Sequence, residues 1–152
     1  MPFSFQTTVK PEWIDYNGHM QDAFYGLVFS YAVDALQDDV GFDRKYREET
    51  GHTIYLVEEH KFFLNEVKEG DDLDVSIHVI AAKSKLFHLY AIMHSQGRDV
   101  AISELVEMHV RQKPKPHGVE IPQSILDKLL AYEIRPEELS TYKKRSRLMQ
   151  LK

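Results

Sequence analysis

The 152-residue sequence predicts an α+β fold in which a long antiparallel sheet wraps one buried helix. Three observations predict it. The stretch from Ala23 to Val40 is apolar almost all the way round a helix, four long strand-like runs follow it, and the turns between those runs are short. A helix with no wide polar face has to be covered on several sides, and antiparallel strands joined by tight turns are able to wrap it.

Each element has its own signal. Phe3 to Val9 reads as a short strand that Pro11 interrupts, since proline donates no ladder hydrogen bond. Asp22 is a suitable N-cap for the helix. That helix leaves only Asp22, Gly26, Ser30 and Asp34, spaced by four, as a narrow small or polar stripe. Gly41 closes it, and Asp43 caps a short charged helix that ends before Gly51. His52 to Asn65 is the first long strand, followed by the polar turn Glu69-Gly70-Asp71-Asp72. Leu73 to Ala82 alternates Leu73, Val75, Ile77 and Val79 with Asp74, Ser76 and His78, the period of a strand with one buried face. Leu86 to Ser95 and Val100 to Arg111 are the last two, joined by the hairpin signal Gln96-Gly97-Arg98-Asp99. Residues 1–112 are expected to form the core. Residues 113–152 are expected to form a C-terminal helical extension, with Ile125, Leu126, Leu129 and Leu130 on one side of a helix from Pro122 to Tyr132 and a charged segment from Arg135 to Leu151.

Composition sets outer bounds. Hydrophobic residues make up 43% and charged residues 28%, as in a globular domain. The absence of cysteine excludes disulfides, thiolate metal sites and a cysteine nucleophile, and it suits a cytoplasmic location. Met1 to Phe5 lacks the charge and apolar core of a signal peptide, and no apolar run approaches membrane-spanning length, so no membrane partner is expected. Acids outnumber bases, 24 to 19, which argues against a nucleic-acid partner.

The chemistry concentrates in Glu12-Trp13-Ile14-Asp15-Tyr16-Asn17-Gly18-His19-Met20. A carboxylate beside a tight turn that opens a helix can serve as nucleophile or general base. The unpaired N–H groups of the helix start lie near enough to hold negative charge developing on a substrate oxygen. Asp15 can equally be a turn-capping aspartate at Asn17-Gly18.

This run resembles the Asp-x-x-Gly-His-hydrophobic signature of the 4-hydroxybenzoyl-CoA thioesterase family of hotdog-fold acyl-CoA thioesterases, whose order of elements residues 3–112 share. A closer resemblance is to the betainyl-CoA thioesterase domains associated with carnitine dehydrogenase, over residues 11–20 and again over Tyr55-Leu56-Val57-Glu58-Glu59-His60. The sequence departs from the wider family at Gln21-Asp22, where Asn-Asn is common. The resemblance implies a hotdog fold and hydrolysis of a small acyl-CoA, with no cofactor beyond the coenzyme A of the substrate. It implies Asp15 as nucleophile or general base and the main-chain amide of Asp22 as the group that polarises the carbonyl. Related enzymes build the pocket between two subunits, so a homodimer or homotetramer is expected.

Around Asp15, Gly18 lets the chain turn without a side chain crowding the substrate. His19 takes a supporting role, orienting Asp15, touching the thioester, or packing as a hydrogen-bonded histidine. Asn17 belongs to the same turn. Trp13, two residues before Asp15, would share its face in an extended stretch. It is a candidate wall for a quaternary ammonium, worth about 0.5–2 kcal/mol per contact, with Tyr16, Tyr25 and Tyr55 as further walls; core packing is the alternative. Glu58 and His60 point to one face of their strand and are candidates for the substrate cation or the water, or are ordinary charges on an edge. Asp34 is the competing carboxylate.

His78, His88, His94 and His109 have no metal-ligand spacing, so no metal is expected and they read as surface or interface histidines. Lys83-Ser84-Lys85, Arg111 to Lys115 and Lys143 to Arg147 are candidate partners for the CoA phosphates, or solvated turns and tail. A hydratase would want a different Asp and His spacing. A non-catalytic domain that binds CoA esters or acts as an assembly partner is the remaining alternative.

Overall fold

The computed structural model describes residues 1–147 and 149–150; the part of the charged tail at Leu148, Leu151 and Lys152 lies outside the described residues. The elements are β1 (Phe3–Thr8), α1 (Asp22–Val40), α2 (Arg44–Thr50), β2 (His52–Phe63), β3 (Asp72–Lys83), β4 (Leu86–Ser95), β5 (Arg98–Arg111), β6 (His117–Gly118), α3 (Gln123–Leu130) and α4 (Pro136–Leu139). A 3-10 turn at Pro11–Trp13 separates β1 from α1. The sheet runs β1-β3-β4-β5-β2, antiparallel throughout, with β6 paired to the end of β5. It is the predicted long antiparallel sheet around one principal helix. No helix of the described residues is long and apolar enough to cross a membrane.

The inner face of the sheet and α1 form the main core. Leu73, Val75, Ile77 and Val79 from β3 and Phe87, Leu89, Ala91 and Met93 from β4 pack with Val28, Phe29, Ala32, Val33 and Leu36 of α1. Outward-facing residues form a smaller cluster, Tyr90 and Ile92 of β4 with Ile102 of β5. This is the period-two rule at work on a sheet covered on both faces. The outer cover is the tail: Tyr142 stacks on Tyr90, with ring centroids 4.9 Å apart, and Tyr90 donates its hydroxyl to the Lys144 carbonyl at 2.7 Å.

Three local details differ from the sequence reading. The helix begins at Asp22, so Gln21 holds the N-cap position and makes no side-chain cap hydrogen bond. The exposed face of α1 is wider than the four-residue stripe, since Tyr31 is 44% exposed, because the sheet covers one side of the helix and leaves the other open. His78 and His109 are buried rather than at the surface. Burial pushes both imidazoles below their ordinary range, and His109 is held by the Val119 carbonyl at 3.0 Å from Nδ1 and by Tyr46 Oη at 2.9 Å from Nε2. His88 and His94 lie beside Glu104 and Asp99, at 2.9 and 2.8 Å.

A β-bulge between Leu56 and Glu58 changes the side-chain register of β2. Phe63, Lys61 and Glu59 pair with inner-face residues Ala101, Ser103 and Leu105. Beyond the bulge, Leu56 pairs with Glu107 and Ile54 with His109, two polar residues of the inner face. The extra residue, Val57, is 50% exposed. Among the described residues only β5 pairs with β2, which leaves the other edge of β2 open.

Candidate active site

Residues 14–20 fold as a small hairpin that presents Asp15. Ile14 and Met20 form an antiparallel bridge, Asp15 N–H donates to the His19 carbonyl at 3.0 Å, and Gly18 N–H donates to the Asp15 carbonyl at 3.0 Å. Gly18 takes φ +80°, the left-handed residue that a three-residue hairpin loop requires. A Cβ there would meet nothing within 4 Å in this chain, so within the fold it is the backbone conformation that demands glycine. Met20 N–H donates to Val67 and Gln21 N–H to Trp13, which ties the hairpin both to the segment after β2 and to the start of α1.

Asp15 is half-buried and accepts the Asn17 N–H on Oδ1 at 2.8 Å. The turn-capping role is therefore real, but it uses one oxygen; Oδ2 has no hydrogen-bond partner among the described residues. Asp15 lines a cleft of about 740 Å³ with Asn17, His19, Asp22, Tyr25 and the strand-end residues Phe63 to Glu66. The first helical N–H, that of Asp22, has no acceptor among the described residues, since Gln21 does not cap it. An uncapped helix start beside a carboxylate is a donor site for a negative oxygen.

His19 Nε2 lies 3.1 Å from Glu66 Oε2. Tyr25 is buried, donates to the Asn65 carbonyl at 3.2 Å and meets the Phe63 ring edge-on at 5.5 Å. Burial pushes its phenol up. Asp15, Asn17, Gly18, His19, Asp22 and Tyr25 are thus brought to one place. Asn65 and Glu66 join them without having been singled out, because they follow β2 in irregular backbone and carry no periodic signal. A Gly-His motif needing a fixed histidine is the one hint that an acid elsewhere has to meet it.

Trp13, Tyr55, Glu58 and His60 are not brought to Asp15 within this chain. Trp13 sits in a 3-10 turn, not an extended stretch, so it does not share Asp15's face. It is 4% exposed, stacks on Phe24 at 5.8 Å and lies under the Lys10 ammonium at 5.4 Å, which leaves no open ring face for a substrate cation. Tyr55, Glu58 and His60 point to the outer face of β2, opposite Met108, Val106 and Glu104, and Glu58 and His60 line a separate cleft with His88 and Glu104. Tyr16 is 99% exposed. The basic segments divide likewise: Lys83 to Lys85 and the end of β5 meet at the far end of the sheet, and the tail lies on the outer face. Beside the Asp15 cleft stand instead Lys68 and Arg98, in an adjoining hollow that shares His19, Asn65 and Glu66.

Comparison with known proteins agrees with this architecture. A family model described as the thioesterase-like superfamily matches residues 9–129. Over 109 residues the chain is 42% identical to the betainyl-CoA thioesterase of Pseudomonas aeruginosa, covering 70% of this chain and 69% of that protein. It is 38% identical over 132 residues to the L-carnitine dehydrogenase/betainyl-CoA thioesterase of Agrobacterium fabrum, covering 84% of this chain and 27% of that longer protein. The chain therefore spans about a quarter of the length of that fused relative. A Staphylococcus aureus protein whose structure was determined in complex with CoA superposes with a TM-score of 0.81 at 26% identity, over 97% of this chain and 96% of that one.

Proposed function

This chain belongs to the thioesterase-like superfamily and is an acyl-CoA thioesterase, and from that premise we propose that its substrate is a small acyl-CoA, betainyl-CoA first, and that Asp15 does the chemistry. The observation that carries the reading is the pairing of an Asp15 oxygen free of hydrogen bonds with the uncapped Asp22 amide across one cleft. A thioester carbonyl is electrophilic without metal help, so a placed carboxylate and one amide donor suffice. Asp15 either takes a proton from water as the water attacks the carbonyl carbon, or attacks it directly and is freed by water in a second step. In both routes the oxyanion rests on the Asp22 N–H, the C–S bond breaks, the acid is released, and CoA leaves as thiolate and takes up a proton. Betainyl-CoA is favoured over other esters by the 42% identity to the Pseudomonas aeruginosa enzyme.

A release assay for free thiol over a panel of CoA esters tests this. Betainyl-CoA should be hydrolysed fastest, and Asp15→Asn should lose on the order of a thousandfold in kcat while keeping its fold, in the range of general-base catalysis. Single turnover in 18O water separates the routes: label in Asp15 marks direct attack. A folded Asp15→Asn protein with near wild-type turnover removes Asp15 from the chemistry.

The open edge of β2, with Leu56 and Val57 53% and 50% exposed, supports assembly of at least a homodimer by strand pairing. An active monomer by light scattering would contradict it.

A further inference from the structure

Among the described residues two acids are buried, Glu104 and Glu107, and they are opposite in kind. Glu104 takes N–H groups from Arg145, Ser146 and His88. Glu107, 6% exposed on the inner face of β5, accepts no hydrogen bond among the described residues. The groups in electrostatic range of it are the acids Asp34 of α1 and Glu59 of β2, and Arg47. Arg47 is already committed to the Phe42 carbonyl at 2.9 Å and to Gln37 Oε1 at 2.6 Å. Glu59 is held by Lys61 and Ser103, each at 2.8 Å. Neither oxygen is wholly shut off from solvent, so the group can be reached, but a largely buried carboxylate without a donor is costly, and what it lacks is a cation. Among the described residues no three acids or histidines converge closely enough to hold a metal ion, so a bulky, diffuse cation fits better. Tyr31 stands three residues before Asp34 on the same surface of α1 and is exposed, an aromatic face of the kind quaternary ammonium groups seek.

We propose that Glu107, Asp34 and Tyr31 form the subsite for the quaternary ammonium of an acyl-CoA whose thioester lies at Asp15 of a second copy of this chain. The inference rests on the thioesterase reading. Within one chain the geometry fails, because Asp34 is twelve residues beyond the helix start, about 18 Å along the axis, whereas the betainyl nitrogen is two bonds from the carbonyl carbon. Between copies it works. Lys61 touches Gly26 and Phe63 meets Tyr25, so the open stripe of α1 lies along the inner face of β2. Two-fold pairing of the free β2 edge runs the two stripes past one another in opposite directions. The Asp22 end of one helix then faces the Asp34 and Glu107 half of the other.

The probes are betainyl-CoA and 3,3-dimethylbutyryl-CoA, which has the same shape with carbon in place of the charged nitrogen. The wild-type protein should prefer the cationic ester, and Glu107→Gln should lower the ratio of the two kcat/KM values about tenfold. Exposed Asp34→Asn should lower it in the same sense, so a poorly folding Glu107→Gln does not decide the matter. Asp15→Asn and Glu107→Gln subunits, unfolded and refolded together, should regain about a quarter of the wild-type activity on betainyl-CoA, because half of the dimers are mixed and one site in each is intact. An unchanged ratio in both variants, or no recovery on mixing, overturns the proposal. Wild-type hydrolysis of the neutral ester with none of the cationic one overturns it too, and leaves the thioesterase reading standing. Failure to hydrolyse any CoA ester removes both.

Discussion

His19 Nε2 stands 3.1 Å from Glu66 Oε2, so the histidine of the Asp-x-x-Gly-His run is held by the segment after β2 and not by Asp15. Asp15 is oriented by its own turn, through the Asn17 N–H. The two ionisable side chains of the motif are thus fixed separately. His19 is partly exposed and Glu66 is mostly exposed, and such a pair contributes at most about 1 kcal/mol. His19→Gln and Glu66→Gln should each cost less than about tenfold in kcat/KM, and the double variant should cost little more than the worse single one. A kinetic double-mutant cycle measures this; additive losses would mean that His19 acts elsewhere.

Gly18→Ala separates backbone strain from crowding. The residue sits at φ +80° with nothing of this chain within 4 Å of an added Cβ, so the penalty to the fold is the left-handed conformation, about 1–2 kcal/mol. Denaturant unfolding should show that loss. If the turn relaxes to escape the strain, Asp15 moves, and kcat should fall further than the stability loss explains.

The main architecture was legible in the sequence because it rests on repeating patterns. The alternation from Leu73 to Val79 and the apolar turns of α1 each imply their partner surface, and the Asp15 turn is written in consecutive residues. What was hidden depends on single events or on long-range packing. One extra residue at Val57 breaks the alternation of β2, and only the register shows that Glu58 and His60 face outward while Glu59 and Lys61 face α1. An extended chain would put Trp13 on the face of Asp15, but Pro11 starts a 3-10 turn that drives the ring under Phe24. Glu66 meets His19 across 47 positions, which no local spacing can announce. The tail read as a solvated charged segment because its anchor, Glu104, lies on a distant strand.

That anchor gives a prediction in acid. Burial pushes the Glu104 carboxyl up, but the Arg145 hydrogen bonds, the Ser146 N–H and His88 outweigh it and hold it at about 2. A carboxylate held below its ordinary 4.5 contributes stability that is complete above that value and lost as pH falls towards about 2. The tail should therefore loosen from the outer face between pH 4.5 and 2, freeing Tyr142 from Tyr90. Hydrogen exchange at residues 142–146 against pH measures it. Arg145→Ala should expose the same amides already at neutral pH; protection equal to wild type would mean that the tail is held by its aromatic contacts alone.

Glu107 should behave in the opposite sense. Burial first, then Asp34 and Glu59, raise it to about 7 from an ordinary 4.5. Its native form holds a proton that the unfolded chain has released, so stability falls as pH rises from about 4.5 to 7 and levels off above. The shift corresponds to at most about 3 kcal/mol. Glu107→Gln keeps the shape and cannot ionise. It should match the wild type near pH 4 and exceed it by about 2–3 kcal/mol at pH 8, read by urea unfolding at pH 4, 6 and 8. The gain should shrink when tetramethylammonium is present in excess, because a bound cation stabilises the ionised wild-type site and has no such partner in the variant. A stability difference that does not change with pH would show that Glu107 is ionised in both states.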